Sequence, residues 1–490
     1  MHSNLLVKQA ASISAFFLAV FTIACSLVGL EKGAVIFLGL LAVPVVMVLI
    51  KITFYPKPLY PAFMYILVMT TFLNQSLLSI DVGFFHLFLY RIVLIVTAVF
   101  FISHVMAERN LSHYWNQTNV KGVLLFLLFW LVYGFLSLLW AKSMIEGVKA
   151  LFLLGLGILF VFLAVFTFKK MTDLFCFYGI WLLMTIILLA MGLINHFTGI
   201  QLPTSTLYGA AEYKRFYPTA VFFNQNDLAV FLTISFFFYI ALTKNSRQVW
   251  LQTVSLLLAC FCVVTIYWTE SRASLLGIGA GLLTYFFILL PKFLKKITAI
   301  AGTASLLFVL MAFSGKIFNK ITSLINASDT YWGNEVLPSN LARINLLKNT
   351  IHYFADTFGF GVGAGNIPFY LKNEPIYATN HVVEVHNWLA EIMGNYGILI
   401  LLGYVTMYAF LFFRLYQFYQ WQISQKYKVL LEAGMMGMAG FLVSSISPSS
   451  VSNLFFHWVF LGFIISMVSV FAGTEHELRE IPAKEKVSNA

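Results

Sequence analysis

Charge is what this sequence has least of. Only 10% of its 490 residues are Asp, Glu, Lys or Arg, and 60% are hydrophobic, whereas an ordinary soluble domain is about one quarter charged. That deficit excludes a water-soluble core, which could not hide so much apolar surface. Cysteine is nearly absent too. Cys25, Cys176, Cys260 and Cys262 fall in apolar runs without CxxC spacing or companion histidines, so core packing is expected of all four rather than disulfides or thiolate metal ligation. The alternating ten-residue strands of an outer-membrane barrel are missing. So are low-complexity linkers and any internal repeat.

What is present is a series of apolar stretches, each able to cross roughly 30 Å of hydrocarbon. They fall near 9–30, 33–52, 60–80, 83–107, 121–141, 145–168, 172–197, 217–242, 248–268, 273–290, 296–314, 386–413, 429–447 and 454–472. The first carries no small-residue cleavage site, so it reads as a retained helix rather than a signal peptide. The expected fold is all-α: a polytopic integral membrane protein of about 12–14 transmembrane helices. The chain divides into N-terminal helices (1–214), further helices (215–314), one large loop (315–385), C-terminal helices (386–472) and a charged tail (473–490).

Lys and Arg set the orientation. With a cytoplasmic N-terminus, eighteen of the thirty fall in inside segments and six in short outside loops; the long loop adds five, and Arg91 lies within a span. Both termini are then cytoplasmic, in the cell membrane, and the long loop is extracytoplasmic. The net charge of +11 is mostly topogenic and forms no continuous stripe, so no nucleic-acid partner is implied.

The long loop holds a helix signal, SNLARINLLKNTIHYFADT, followed by GFGVGAGNIPFYLKN. About seventy residues is too long for a connector and points to function. On the same outer face, topology collects Arg215 (EYKRFYP), Arg272 (TESRAS), Arg343 on the loop helix and His386 (EVHNWLAE). Arginine offers a fixed fork of donors matched to phosphate oxygens and keeps its proton, and a histidine can accept a proton at neutral pH. Such a set suits group transfer from a diphosphate-linked donor. Each residue has a plainer alternative: Arg215 and Arg272 as snorkelling anchors, Arg343 on a solvated helix face, His386 as a helix-start hydrogen-bonder.

Arg91 is expected about eight residues, hence about 12 Å, inside its span, a weaker candidate for phosphate. Asn224, Gln225, Asn226 and Asp227 put four polar residues at the start of a span, where they face the bundle interior or a cavity. Asp227 is alternatively a partner for Arg215 or another cation. The glycines of GFGVGAGN, Gly363 among them, either offer amides to a phosphate or make a tight turn. No strand precedes them and no GK[ST] follows, so a nucleotide loop is excluded.

RFYPTAVFFNQNDLAVFL, ESRASLLGI, LARINLLKNTIHYFADTFGFGVGAGN and VHNWLAEIMGNYGI, in this order over about 215–400, resemble the O-antigen ligase and polymerase family. The resemblance implies the C-type glycosyltransferase architecture and transfer of a glycan from undecaprenyl diphosphate on the outer membrane face. By matching position it carries catalytic roles to Arg215, Arg272 and His386, and substrate contacts to Arg343 and Asn387. It also implies metal-independent, inverting chemistry without cofactor, which agrees with the lack of a DxD-like or His-rich motif. Within the family the chain looks most like polymerases of a teichuronic acid-like cell-wall glycan. The implied partners are undecaprenyl-diphosphate-linked oligosaccharide, membrane lipid and other polysaccharide-export proteins. A ligase acting on another acceptor is the near alternative. A lipid-linked oligosaccharide flippase is the distant one, disfavoured because such transporters usually consist of two similar halves.

Overall fold

The computed structural model describes residues 60–488, apart from 73–78, 83–84, 109–110, 317–318, 320–321, 324–325, 327–336 and 422–423. The first two expected spans and Cys25 lie outside the described residues. Among the described residues ten helices precede the long loop: α1 (Tyr60–Thr70), α2 (Leu89–Glu108), α3 (Leu111–Asn116), α4 (Lys121–Ser137), α5 (Met144–Thr167), α6 (Met171–Thr198), α7 (Gln225–Asn245), α8 (Val249–Trp268), α9 (Arg272–Leu289) and α10 (Lys292–Ala312). The loop carries α11 (Ser339–Asp356) and α12 (Ile367–Asn373). After it come α13 (Trp388–Trp421), α14 (Gln425–Ser444) and α15 (Phe455–Ser488).

The chain is a multi-pass helical membrane protein. Among the described residues eight helices are long and apolar enough to cross a membrane, and α1 and α4 are shorter apolar helices. Each of the other twelve expected spans has a helix, but α10, with Lys292, Lys295 and Lys296 in its first turns, and α14 are not among the eight. One element departs from all-α: an antiparallel hairpin of β1 (Ser79–Val82) and β2 (Phe85–Phe88), with Ser79 opposite Phe88. Here SIDV alternates polar and apolar residues, a strand period that a plain hydropathy window reads as helix.

Helix α7 is the axis of the bundle, packed against α8, α9 and α14. From Asp227 to Tyr239 every residue is buried. A helix apolar all round must be enclosed by other helices. The approach of α9 to α14 rests on small residues: a Cβ at Gly277 would lie 2.7 Å from the Gly440 carbonyl oxygen, so the two backbones touch. A second layer joins α15 to α5, and aromatics fill the space between, with Phe177 stacked on Phe463 at 4.3 Å. Outward-facing Ile95, Val99, Ile102 and Met106 on α2, and Leu125, Phe129 and Val132 on α4, leave an exposed apolar surface suited to lipid. Cys262 is buried as expected, but Cys176 and Cys260 are exposed, on that outer surface rather than in the core.

Helices α7 and α14 run antiparallel. Asn226 at the start of α7 meets Ser447, just past the end of α14, while Asn245 at its far end meets Glu432. The starts of α5, α7, α9, α13 and α15, the ends of α4, α6, α8 and α14, and the long loop therefore share one end of the bundle.

Candidate active site at one end of the bundle

The connector between α14 and α15 reads SISPSSVSN over 445–453. Its serines tie together three helix starts. Ser447 Oγ donates to Asn226 Oδ1 at 2.7 Å and lies 3.0 Å from Ser271 Oγ, the residue before Arg272. Asn224 Nδ2 donates to Ser449 Oγ at 2.9 Å, while Asn224 Oδ1 caps α7 by accepting from the amides of Asn226 and Asp227. Ser450 and Ser452 hydroxyls donate to Glu391 Oε1 in the first turn of α13, at 2.7 and 2.9 Å, and the Val451 amide donates to Oε2 at 3.2 Å. Short hydroxyl side chains suit such a junction because each both donates and accepts, so they serve the Asn226 amide oxygen and the Glu391 carboxyl group alike.

His386 hangs on the same strap. Its amide donates to the Ser449 carbonyl at 3.4 Å, and Nδ1 lies 3.2 Å from the Ser447 carbonyl. A carbonyl oxygen only accepts, so the proton sits on Nδ1 and the lone pair on Nε2. Burial lowers the His386 pKa; the Ser447 carbonyl pulls it back, the Arg343 charge lowers it further and Glu384 raises it. The balance favours neutral imidazole at neutral pH. The residue has φ 54°, a left-handed conformation costly for a side chain with Cβ, and such strain gathers at functional sites. Glu270, two residues before Arg272, has φ 57°.

Of the expected arginines, Arg343 is half-buried and near enough for its charge to act on His386. Burial lowers its own pKa. Arg272 is exposed at the start of α9 and lines a cavity of about 520 Å³ with His196, Tyr213, Phe216, Tyr217 and Glu270. Arg215, exposed, ends the 3-10 turn Glu212–Lys214 one residue before that wall, with Nε donating to the Ala210 carbonyl at 2.6 Å. Among the described residues none of Arg215, Arg272 and Arg343 makes an ion pair. Asp227, an alternative partner for Arg215, makes none there either.

Two expectations change. Arg91 is not deep in a span: α2 begins only at Leu89, after the hairpin, so Arg91 sits in the first turn. Its guanidinium lies over the rings of Phe88, Phe455 and Phe152 at 4.8, 5.5 and 5.7 Å, away from Arg272. Gly363 does not present its amide to a ligand. Val362 and Gly363 amides donate to the carbonyls of Gly394 and Asn395 at 2.8 and 3.1 Å, and the Ile398 amide donates to the Gly359 carbonyl at 2.9 Å. These bonds fill the break in α13 at Gly397 (φ 77°), where helical partners are lost and hydrocarbon offers no replacement. Gly363 itself has φ 98°, and a Cβ there would lie 2.8 Å from Ala141 Cβ, so the glycine-rich turn is a packing joint. Asn387 accepts the Ala390 amide at 3.1 Å and thereby caps α13, with its amide nitrogen left over.

A second cavity, of about 390 Å³, adjoins the strap on its other side, with Arg91, Asp227, Glu384, Ser449 and Ser450 in its wall. Sequence reasoning missed the serine strap and Glu391. The visible signal is six serines within 444–452 in an otherwise apolar stretch.

The family model described as O-Antigen ligase matches residues 255–405, a span that includes Arg272, Arg343 and His386 and stops before the strap. Over 435 residues the chain is 46% identical to the teichuronic acid biosynthesis protein TuaE of Bacillus subtilis (strain 168), covering 88% of this chain and 89% of that protein.

Proposed function

The chain belongs to the O-antigen ligase family, and from that premise we propose that it is a glycan polymerase. It would transfer a growing polysaccharide from undecaprenyl diphosphate to a lipid-linked repeat unit of an acidic cell-wall glycan, on the extracytoplasmic side. The observation that carries this reading is the set of three arginines without counter-ions among the described residues, at the same end of the bundle as a neutral, oriented histidine on which the charge of one of them, Arg343, acts. Cations near a membrane surface that are left open by the protein suit an anion brought by the substrate.

In the proposed step the acceptor hydroxyl oxygen attacks the anomeric carbon of the donor sugar. The bond from that carbon to the diphosphate oxygen breaks, and the configuration inverts. The hydroxyl proton passes to His386 Nε2, and the bonding electrons leave with undecaprenyl diphosphate. Arg272 and Arg215 hold the growing negative charge, and Arg343 closes from the loop. Preorganised cations at the leaving group are the largest kind of contribution a site makes to such a reaction. No metal is invoked.

Purified protein in lipid nanodiscs, supplied with defined lipid-linked repeats, tests this. Wild type is expected to build long chains, and Arg272→Ala protein to insert normally and build none. Elongation at the wild-type rate by Arg272→Ala would sink the mechanism. Capping of a foreign acceptor without chain growth would make the protein a ligase.

A further inference from the structure

The cavity of about 390 Å³ is lined by an acid that the proposed transfer does not use. Asp227 is only 4% exposed, and its buried Oδ1 has no hydrogen-bond partner among the described residues. Its place near the start of α7 suits an acid, because the helix dipole favours negative charge there. That accounts for an acid at the position, not for leaving one oxygen unbonded, since a buried acceptor without a donor costs about 1–3 kcal/mol. Asp227 lines a cavity whose other polar residues are Thr71, Arg91, Thr204, Glu384, Asn453 and the Ser449–Ser450 strap, and whose apolar wall includes Phe222, Phe223 and Phe456. Hydroxyl, amide and carboxyl groups opposite aromatic faces are what a ring bearing several hydroxyls needs, with its C–H faces on the rings and its O–H groups on the polar side chains. The wall is shared with the site, because Ser449 also holds the His386 amide.

We propose that this cavity is the acceptor-sugar subsite, that it takes an uncharged sugar, and that Asp227 determines this specificity. The proposal rests on the transfer reading above. Two acids, Asp227 and Glu384, face one arginine, Arg91, whose guanidinium is already stacked over Phe88 and Phe455. A uronate would bring a third carboxylate, and like charges at close range are an effective rejecting element. The acidic sugars of the glycan are then accommodated outside this cavity.

Full-length protein in nanodiscs, probed by saturation-transfer NMR, separates the cases without requiring turnover. The probes are the methyl glycoside of N-acetylglucosamine and that of glucuronic acid. Wild type is expected to prefer the uncharged probe by about tenfold, and Asp227→Asn, an isosteric change, to reduce the preference to about twofold or less. In the elongation assay Asp227→Asn should raise the acceptor KM about tenfold at unchanged kcat, as expected when binding common to ground and transition states is lost. Equal binding of both probes to wild type overturns the proposal, and that measurement needs no variant. Normal elongation with an unaltered acceptor KM in Asp227→Asn also overturns it while leaving the transfer reading intact. A wild-type preference lost in Asp227→Asn, without chain growth by wild type, supports the sugar subsite and removes the transfer reading instead.

Discussion

The two ends of α7 solve the same problem in opposite ways. At its far end Glu432, fully buried, takes the Lys244 ammonium at 2.5 Å on Oε1 and the Asn245 amide at 2.6 Å on Oε2. Nearby, Asp173 accepts from the Tyr65 hydroxyl and from the backbone amides of Lys169 and Lys170. These two acids are closed within the protein. About 30 Å away, at a rise of 1.5 Å per residue, the other end ties its helix starts together through serines, asparagines and Glu391, pairs Lys142 with Glu374 and Lys149 with Glu146, and leaves Arg215, Arg272 and Arg343 without ion pairs among the described residues.

The sharpest way to break that contrast is to remove a group from each end and compare activity with stability. His386→Ala is expected to lower elongation by about 10²–10⁴-fold, the usual range for a lost general base, with the unfolding midpoint in detergent unchanged. If the melt collapsed together with activity, His386 would be a structural hydrogen-bonder after all. Glu432→Ala should do the reverse. Removing one partner of a buried pair costs about 3 kcal/mol, at the low end of the range because Lys244 is 35% exposed and can turn to water. Thermal unfolding should fall markedly while turnover per folded molecule stays near wild type. A Glu432→Ala protein that melted normally but was inactive would erase the distinction between the ends.

How far the sequence reveals these two ends follows from what each kind of signal measures. The spans are legible because about twenty consecutive apolar residues have few alternatives to a bilayer. The loop helix is legible because SNLARINLLKNTIHYFADT lies within one residue of α11. The hairpin at 79–88 is not, since a hydropathy window averages over a period-2 pattern. The depth of Arg91 is misjudged for the same reason: its helix starts at Leu89, not near 83. Arg272 and His386 stand out as scarce charge at topologically matched ends. The serine strap does not, because hydroxyls carry no charge and contribute only through long-range partners such as Asn226, 221 residues away from Ser447. Glycines can be counted but not interpreted: only the break at Gly397 explains why the Val362 and Gly363 amides are consumed by α13.

Ser447→Ala tests whether the strap belongs to the site end as an organiser rather than a reactant. The substitution removes the hydroxyl bonded to Asn226 and Ser271 and keeps the carbonyl facing His386 Nδ1. One lost buried hydrogen bond should lower stability by about 1 kcal/mol. Turnover should fall about tenfold, equivalent to about 1.4 kcal/mol in the barrier, because the start of α9 with Arg272 is less well held. Circular dichroism melts beside elongation rates would separate the two. A loss as large as that of His386→Ala would mean that Ser447 itself contacts substrate.

The smallest effect is also the one that discriminates best, because it reads the charge balance directly. His386 titrates below the ordinary imidazole value, mainly through burial, with Arg343 pushing the same way and the Ser447 carbonyl and Glu384 opposing. A base must be unprotonated to act, so kcat/KM should hold level from neutral pH down past the ordinary imidazole value and fall only when His386 gains its proton. Replacing Arg343 by Gln removes one cause of the lowering. The His386 pKa then rises, and the acidic limb of the profile should move to higher pH whatever happens to the plateau rate. Glu384→Gln removes an opposing influence, so its limb should move to lower pH. Limbs that stayed put in both variants would mean that His386 is not the titrating base. At the far end Glu432→Gln is the control, since it changes a charge with no line to His386 and should leave the limb where wild type has it.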